Sequence, residues 1–280
     1  MAQLSIIIPA SRDTAALEET LVSVLTHRPA DCEVVVPHAG TYDDPYGMAD
    51  EIALLNCDAK ADASELVANG IEASQGEIVH LLSPGCEVES DWCSAVLERF
   101  QRPAVCSVIP LLEEESTPEQ SIVGIARGFG GDRRVLRCHA QHAMPKNVRR
   151  KVLGPSGAAA FYRRSALDLI GGWPASISLS SADLDVALSL SEIGFETCIA
   201  EESTICLHAM QQGRTGAFRR AREQEGLFWR HNQSSVATAC RPFTSILQCL
   251  GAGMPWSMMA AAFGKLASGS DKKSGAEHRE

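Results

Sequence analysis

"LSIIIPASRDTAALEETLVSVL", residues 4 to 25, changes its period at a proline. Leu4 to Ile8 is a nearly continuous apolar run, the pattern of a strand buried on both faces. Pro9 ends it, because proline has no N–H to give a central ladder. Beyond it Leu17, Leu21 and Val24 recur four and three residues apart, the spacing of one helix face. A buried strand feeding a helix opens an α/β unit, and the alternation continues along the chain. "CEVVVP" (32–37) reads as a second strand and "ASELVANGIEAS" (63–74) as a second helix. "GEIVHLL" (76–82) reads as a third strand, followed by a helix over 91–100. The expected fold is α/β: a mainly parallel nucleotide-binding sheet flanked by helices, with ligands beyond the carboxyl ends of its strands.

"AVCSVIPLL" (104–112) supplies a fourth strand, after which the rhythm breaks. Residues 113–120 are acidic and polar, and 127–151 hold eight Lys or Arg against one Asp, the composition of a surface excursion. "GAAAFYRRSALDLIGGW" (157–173) predicts a strand, a short helix and a Gly-Gly turn. "ADLDVALSLSEIG" (182–194) predicts an amphipathic helix, and "FETCIAEESTICLH" (195–208) a late strand ending at His208. No internal repeat is visible.

The totals bound the function. With 280 residues, 45% apolar and 21% charged, the chain can bury a sizeable core and is not disordered. A net charge of −10 argues against a nucleic-acid partner, which calls for a cationic surface. Ten cysteines scattered without a CxxC pair read as buried, reduced thiols of a cytoplasmic protein. The N-terminus has no basic n-region and its apolar run is short for a signal peptide. "CHAQH" (138–142) lacks a fourth zinc ligand. No GxGxxG follows the first strand and no GxxxxGK[ST] occurs, which argues against dinucleotide and P-loop chemistry.

Residues 242–264 carry no charge between Arg241 and Lys265. Their length would permit a membrane span, whereas Pro242, Pro255, three glycines and several hydroxyls point to ordinary packing or to a helix lying on a membrane or partner. The chain is therefore read as a domain over 1–230, a helical extension over 231–268 with peripheral contact to the inner face of the membrane left open, and a polar, disordered tail over 269–280.

Taken in order, several stretches resemble the family 2 glycosyltransferases, which have the GT-A fold. The opening strand, proline and helix are similar to that family's start, and "ANGIEASQGEIVHLL" (68–82) to the approach to its metal motif. "GPSGAAAFYRRSALDLIGGW" (154–173) resembles its acceptor-side segment, "SADLDVALSLSEIGFE" (181–196) its acidic helix and "STICLH" (203–208) its strand ending in histidine. The resemblance spans about residues 3–230.

It implies transfer of a hexosyl group from a nucleotide-diphosphate donor to an acceptor hydroxyl, with inversion. The acceptor, a saccharide or a lipid-linked one, is not specified. Such chemistry requires a nucleoside pocket, a cation such as Mg²⁺ or Mn²⁺ on the departing diphosphate and a carboxylate base. The resemblance places donor contacts at Pro9, Ala10, Ser11 and Arg12, at the turn from Ser83 to Gly85, and at His38 and Gly40, where His38 and Ala39 replace the family's two aspartates. Ser83, Pro84 and Gly85 occupy the Asp-x-Asp positions and supply no carboxylate, so the metal motif is degenerate. Glu87 and His208 are the candidates for a rebuilt cation site. Asp183 falls at the catalytic base, and Asp185 matches a second acidic position. Arg214, with Arg219, Arg220 and Arg222, would hold a diphosphate if no metal is used. The same departures define the alternative, a catalytically inactive GT-A-like binding or scaffold protein.

Overall fold

The computed structural model describes residues 3–231 apart from 11–12, 41, 43, 45–46, 129–130, 140–143 and 209–215. The chain divides into one unit of Met1–Ala126 with Val135–Gln212 and another of Arg127–Arg134 with Gly213–Glu280.

The first unit opens as the sequence predicts. Strand β1 (Leu4–Ile7) is wholly buried, and helix α1 (Thr14–His27) starts where the Asp13 carboxylate accepts from Ala16 N at 3.3 Å. Strand β2 (Cys32–His38) lies parallel to β1 in the register Leu4↔Cys32. A 3₁₀ turn at Met48–Asp50 leads to β3 (Ala53–Asn56), parallel to β2 and at the edge of the sheet. The sequence reading missed this strand, because four residues with exposed ends show no period. Helix α2 (Ala63–Ala73) begins with a reciprocal cap: Asp62 accepts from Glu65 N at 3.2 Å, and Glu65 accepts from Asp62 N at 2.8 Å. Strand β4 (Ile78–Leu82) then returns parallel to β1 on its other side.

The rest of this unit mixes directions. It comprises β5 (Cys86–Val88), α3 (Ser94–Arg99), β6 (Val105–Glu114), β7 (Gln120–Arg127), β8 (Arg133–His139), α4 (Lys146–Arg149), β9 (Ala159–Arg163), α5 (Arg164–Leu169), α6 (Leu179–Glu192) and β10 (Glu196–Leu207). The sheet order is β3-β2-β1-β4-β9-β6-β10-β5, with β7 on β6 and β8 on β7. Strand β9 is antiparallel to both β4 and β6, β10 is parallel to β6, and β5 is antiparallel to β10. The expected excursion over 113–151 thus contains the end of β6 and two further strands of the sheet, β7 and β8. Its charge lies on an exposed face, where Arg137 holds Glu114 at 2.9 Å, while Ser121 to Ala126 of β7 are buried.

Only Ser83, Pro84 and Gly85 join β4 to β5, although four strand steps separate them in the sheet. Four steps would span about 19 Å in a flat sheet, and four residues reach at most about 14 Å. The sheet therefore curls, bringing β5 back over the end of β4. Cys86 Sγ accordingly lies 3.7 Å from the carbonyl of Ala158.

Apolar clusters fill both faces of the sheet. Helix α6 differs from expectation, since Ser181 to Leu188 are buried without interruption. The neighbouring chain comes so close that a Cβ on Gly154 would stand 2.5 Å from Ala187 Cβ. The polar face of this helix is therefore enclosed, with Asp183 and Asp185 inside it. None of the eight described cysteines is paired; Cys86, Cys93 and Cys106 are buried and the other five half-buried. In the second unit, α7 (Ala217–His231) carries the pair Arg219–Glu223 at 2.7 Å.

Candidate functional site

The carboxyl ends of β1, β2 and β4 form the edge where a ligand is expected. Beyond Ile7 the chain still follows β2: Ile8 N donates to Val35 O at 3.0 Å and Ala10 N to Pro37 O at 2.9 Å. These bonds fix Pro9 and Ala10, both buried, at that edge. His38 ends β2, and its carbonyl accepts from Cys57 N at 2.8 Å. Its ring Nδ1 is buried and meets no hydrogen-bond partner among the described residues. Gly40 follows at φ +71°, a left-handed turn residue. Next to β3 lies a polar hollow of about 280 Å³ lined by Asp58, Lys60, Ala61, Glu65, Asn69 and Ala175. Sequence reasoning missed this hollow along with the strand that leads to it. Ser11, Arg12 and Arg214 lie outside the described residues, as do Thr41 and Asp43.

The segment where the metal motif was expected is a complete turn. Cys86 N donates to Ser83 O at 3.2 Å, with Pro84 in the first central position and Gly85 in the second at φ +88°. This is a type II turn, which favours proline first and a residue able to take positive φ second. The surrounding backbone is also engaged. Ser83 N donates to Ala158 O at 2.8 Å. Gly85 N faces Thr20 Oγ1 at 2.9 Å and Ala16 O at 3.2 Å, and Gly85 O accepts from His208 N at 2.9 Å. A carboxylate at position 85 would have to sit on a left-handed backbone. The replacement is thus one coherent turn and not a scatter of lost residues.

Glu87 and His208 do come together. Cys206 pairs with Glu87 across β10 and β5, and His208 Nε2 lies 2.7 Å from Glu87 Oε2. On the other side of the ring, Nδ1 lies 3.2 Å from Glu115 Oε2. The hydrogen bonds to Glu87 and then Glu115 raise the imidazole pKa above its ordinary 6.5, against a small opposing effect of burial. With a carboxylate at each nitrogen, the ring is a bridge between two acids, and while it is protonated it has no lone pair for a cation. Among the described residues no group of three His, Cys, Asp or Glu could hold a metal ion. The described residues do not fit a divalent cation. Glu115 was not singled out from the sequence, since it lies within an acidic run that read as surface.

Asp183 occupies the second turn of α6 with no exposed surface. One carboxylate oxygen, Oδ2, accepts from Gly157 N at 3.0 Å. It therefore caps a backbone N–H of the segment leading into β9 and does not cap its own helix. Asp185, only 4% exposed, is one residue beyond the intervening Leu184. The Arg-Arg pair works on backbone carbonyls. Arg163 donates to Val105 at 3.0 Å and Phe100 at 2.6 Å, and Arg164 to Gly76 at 2.6 Å and Ile71 at 2.9 Å.

Comparison with solved structures shows what this architecture is. The fold matches the mannosyltransferase PcManGT from Pyrobaculum calidifontis, determined in complex with GDP-Man and Mn²⁺, with a TM-score of 0.58 and 18% identity over 96% of this chain and 75% of that one. It also matches GalNAc-T7, determined with UDP, GalNAc and Mn²⁺, with a TM-score of 0.62 and 12% identity over 80% of this chain. The aligned part is about half, 48%, of the GalNAc-T7 chain. The chain has the GT-A fold. No family model matches it, and comparison with curated protein sequences finds no match.

Proposed function

We propose that this chain binds a nucleotide-activated sugar at the carboxyl edge of β1, β2 and β4 and transfers the sugar to an acceptor hydroxyl with inversion. The observation that carries this reading is His38, whose Nδ1 is buried without a described partner where a GT-A fold receives the nucleoside. A buried polar atom left unmet costs free energy that a ligand donor would recover. GDP-Man and UDP in the two structural neighbours give the ligand its class. Asp183 is the base in this reading. To act, its buried carboxylate must become reachable by the acceptor hydroxyl while Oδ2 holds the Gly157 N–H, because a base has to reach the proton it removes. The diphosphate is then met without the usual pair of carboxylates and their cation, since Ser83 to Gly85 are committed to a turn.

Calorimetric titration with UDP, GDP and their sugars, each with Mn²⁺ and with EDTA, tests the reading. The expected result is binding that survives EDTA and weakens tenfold or more in His38→Ala, about 1.4 kcal/mol. Absence of binding in both conditions would overturn it.

Two observations favour the second reading, a GT-A domain that binds without transferring: the saturated turn at Gly85 and the complete burial of Asp183. Turnover of the bound nucleotide sugar separates the two. A measurable rate abolished in Asp183→Asn supports the enzyme, and binding with no turnover supports the scaffold.

A further inference from the structure

From Arg133 to Leu167 the chain runs thirty-five residues without an aspartate or glutamate and carries nine Lys or Arg. In a protein of net charge −10 this is a local reversal of sign. The fold employs most of these cations. Arg134 pairs with Asp132, Arg137 with Glu114 and Arg149 with Glu201, all carboxylates from outside the segment. Arg163 and Arg164 serve backbone carbonyls. Lys146, Arg150 and Lys151, on α4 and the turn after it, are different. All three are exposed, and among the described residues their side chains meet no carboxylate or carbonyl. Lys60 is the only other described Lys or Arg in that condition.

We propose that Lys146, Arg150 and Lys151 form a docking surface for an anionic lipid membrane. The shape of the patch selects this partner. A single phosphate is held by donors converging in a concavity, whereas these side chains stand exposed on a four-residue helix and its following turn. Such a patch meets many headgroups at once. The remaining negative charge does not cancel it, because charges are screened over about 8 Å at physiological salt. Glu201, the carboxylate brought to α4, is already held by Arg149.

Position gives the patch its use. Leu153 N donates to Ile125 O at 2.8 Å and Ile125 N to Gly154 O at 2.8 Å, fixing the chain between α4 and Gly157. Gly157 holds Asp183, and the six residues from Lys151 span at most about 20 Å. Docking through α4 therefore brings the Asp183 region close to the lipid surface, whether or not the chain is a transferase.

Co-sedimentation of the full chain tests this with two kinds of vesicle, phosphatidylcholine alone and equimolar phosphatidylcholine and phosphatidylglycerol. Each Lys or Arg near an anionic surface strengthens partitioning by roughly fivefold, so three give about a hundredfold. The expected result is preference for the anionic vesicles, weakened by salt and lowered about a hundredfold in the triple variant Lys146→Gln/Arg150→Gln/Lys151→Gln. The variant removes three exposed side chains without described partners, and its thermal midpoint checks that it remains folded. Equal partitioning of the variant and the natural protein overturns the proposal. So does equal binding to both vesicles, which would place adhesion in an uncharged segment, and so does binding to neither.

Discussion

His80, in the middle of β4, and His208, just past the end of β10, receive opposite treatment from the same fold. His80 has no exposed surface, stacks on Phe161 with centroids 3.7 Å apart and has Trp92 at 4.9 Å. Its Nδ1 is 3.1 Å from Ala160 O, and burial pushes its pKa down to about 3. His208 sits at the rim, 40% exposed between two glutamates that raise its pKa. The β4–β9 interior excludes charge, while the exposed side of the β5–β10 rim concentrates it, with the buried Cys86, Val88, Ile205 and Leu207 packing the other side. Burial sets the pKa in the first region, and hydrogen bonding to carboxylates sets it in the second.

The largest effect that would break this contrast comes from emptying the interior. Phe161→Ala removes a fully buried ring between β4 and β6 and should cost about 3–5 kcal/mol. Urea unfolding measures it, and a loss below 1 kcal/mol by the same scale would mean that the site collapses freely. Next comes the acid limb of His80. The unfolded residue takes a proton below 6.5 and the folded one only near 3, so stability falls as pH drops through that window. The loss accumulates at about 1.4 kcal/mol per pH unit across that window. Between pH 7 and 5, where few carboxylates titrate, the His80→Leu variant should show a flatter slope than the natural protein.

Asp183→Ala sharpens the comparison at an interior carboxylate. It leaves the Gly157 N–H buried without its acceptor and should cost about 1–3 kcal/mol, read by thermal unfolding. The smallest effect belongs to His208, and its sign is opposite to that of His80. Its bridge to Glu87 and Glu115 is fully formed below 6.5 and fades as pH rises through the raised folded value. Because the ring is 40% exposed, solvent screening keeps the contribution below about 1 kcal/mol. The advantage of the natural protein over His208→Gln should shrink from pH 6 to 9. A constant difference would show that the bridge does not depend on the proton.

Much of the interior was legible in the sequence. The run from Leu4 to Ile8, the spacing of Leu17, Leu21 and Val24, and the Gly-Gly turn at 171–172 each express a local period or φ requirement, which sequence records directly. The rim was not, because its elements depend on partners far along the chain. Strand β5 is three residues long and exists through pairing with β10, and β7 is held by β6. Within the site, the pairing of Glu87 with His208 was anticipated only as two ligands for a cation. That Glu115 takes the second nitrogen depends on a turn ninety-three residues away. Burial of Asp183 was equally unreadable, since a helix with two aspartates shows a polar face in sequence and only its neighbours decide whether that face meets water.

The two-residue bend at Pro84 and Gly85 also acts as a tether. Three residues of strand cannot offset by themselves the entropy of ordering, and β5 would not find the edge of β10 as a free peptide. Attached to the end of β4, it is delivered to that edge at a high effective concentration once β4 is in place. The curl of the sheet is thereby written into local chain connectivity: the far edge strand arrives with the central one and need not search for its position.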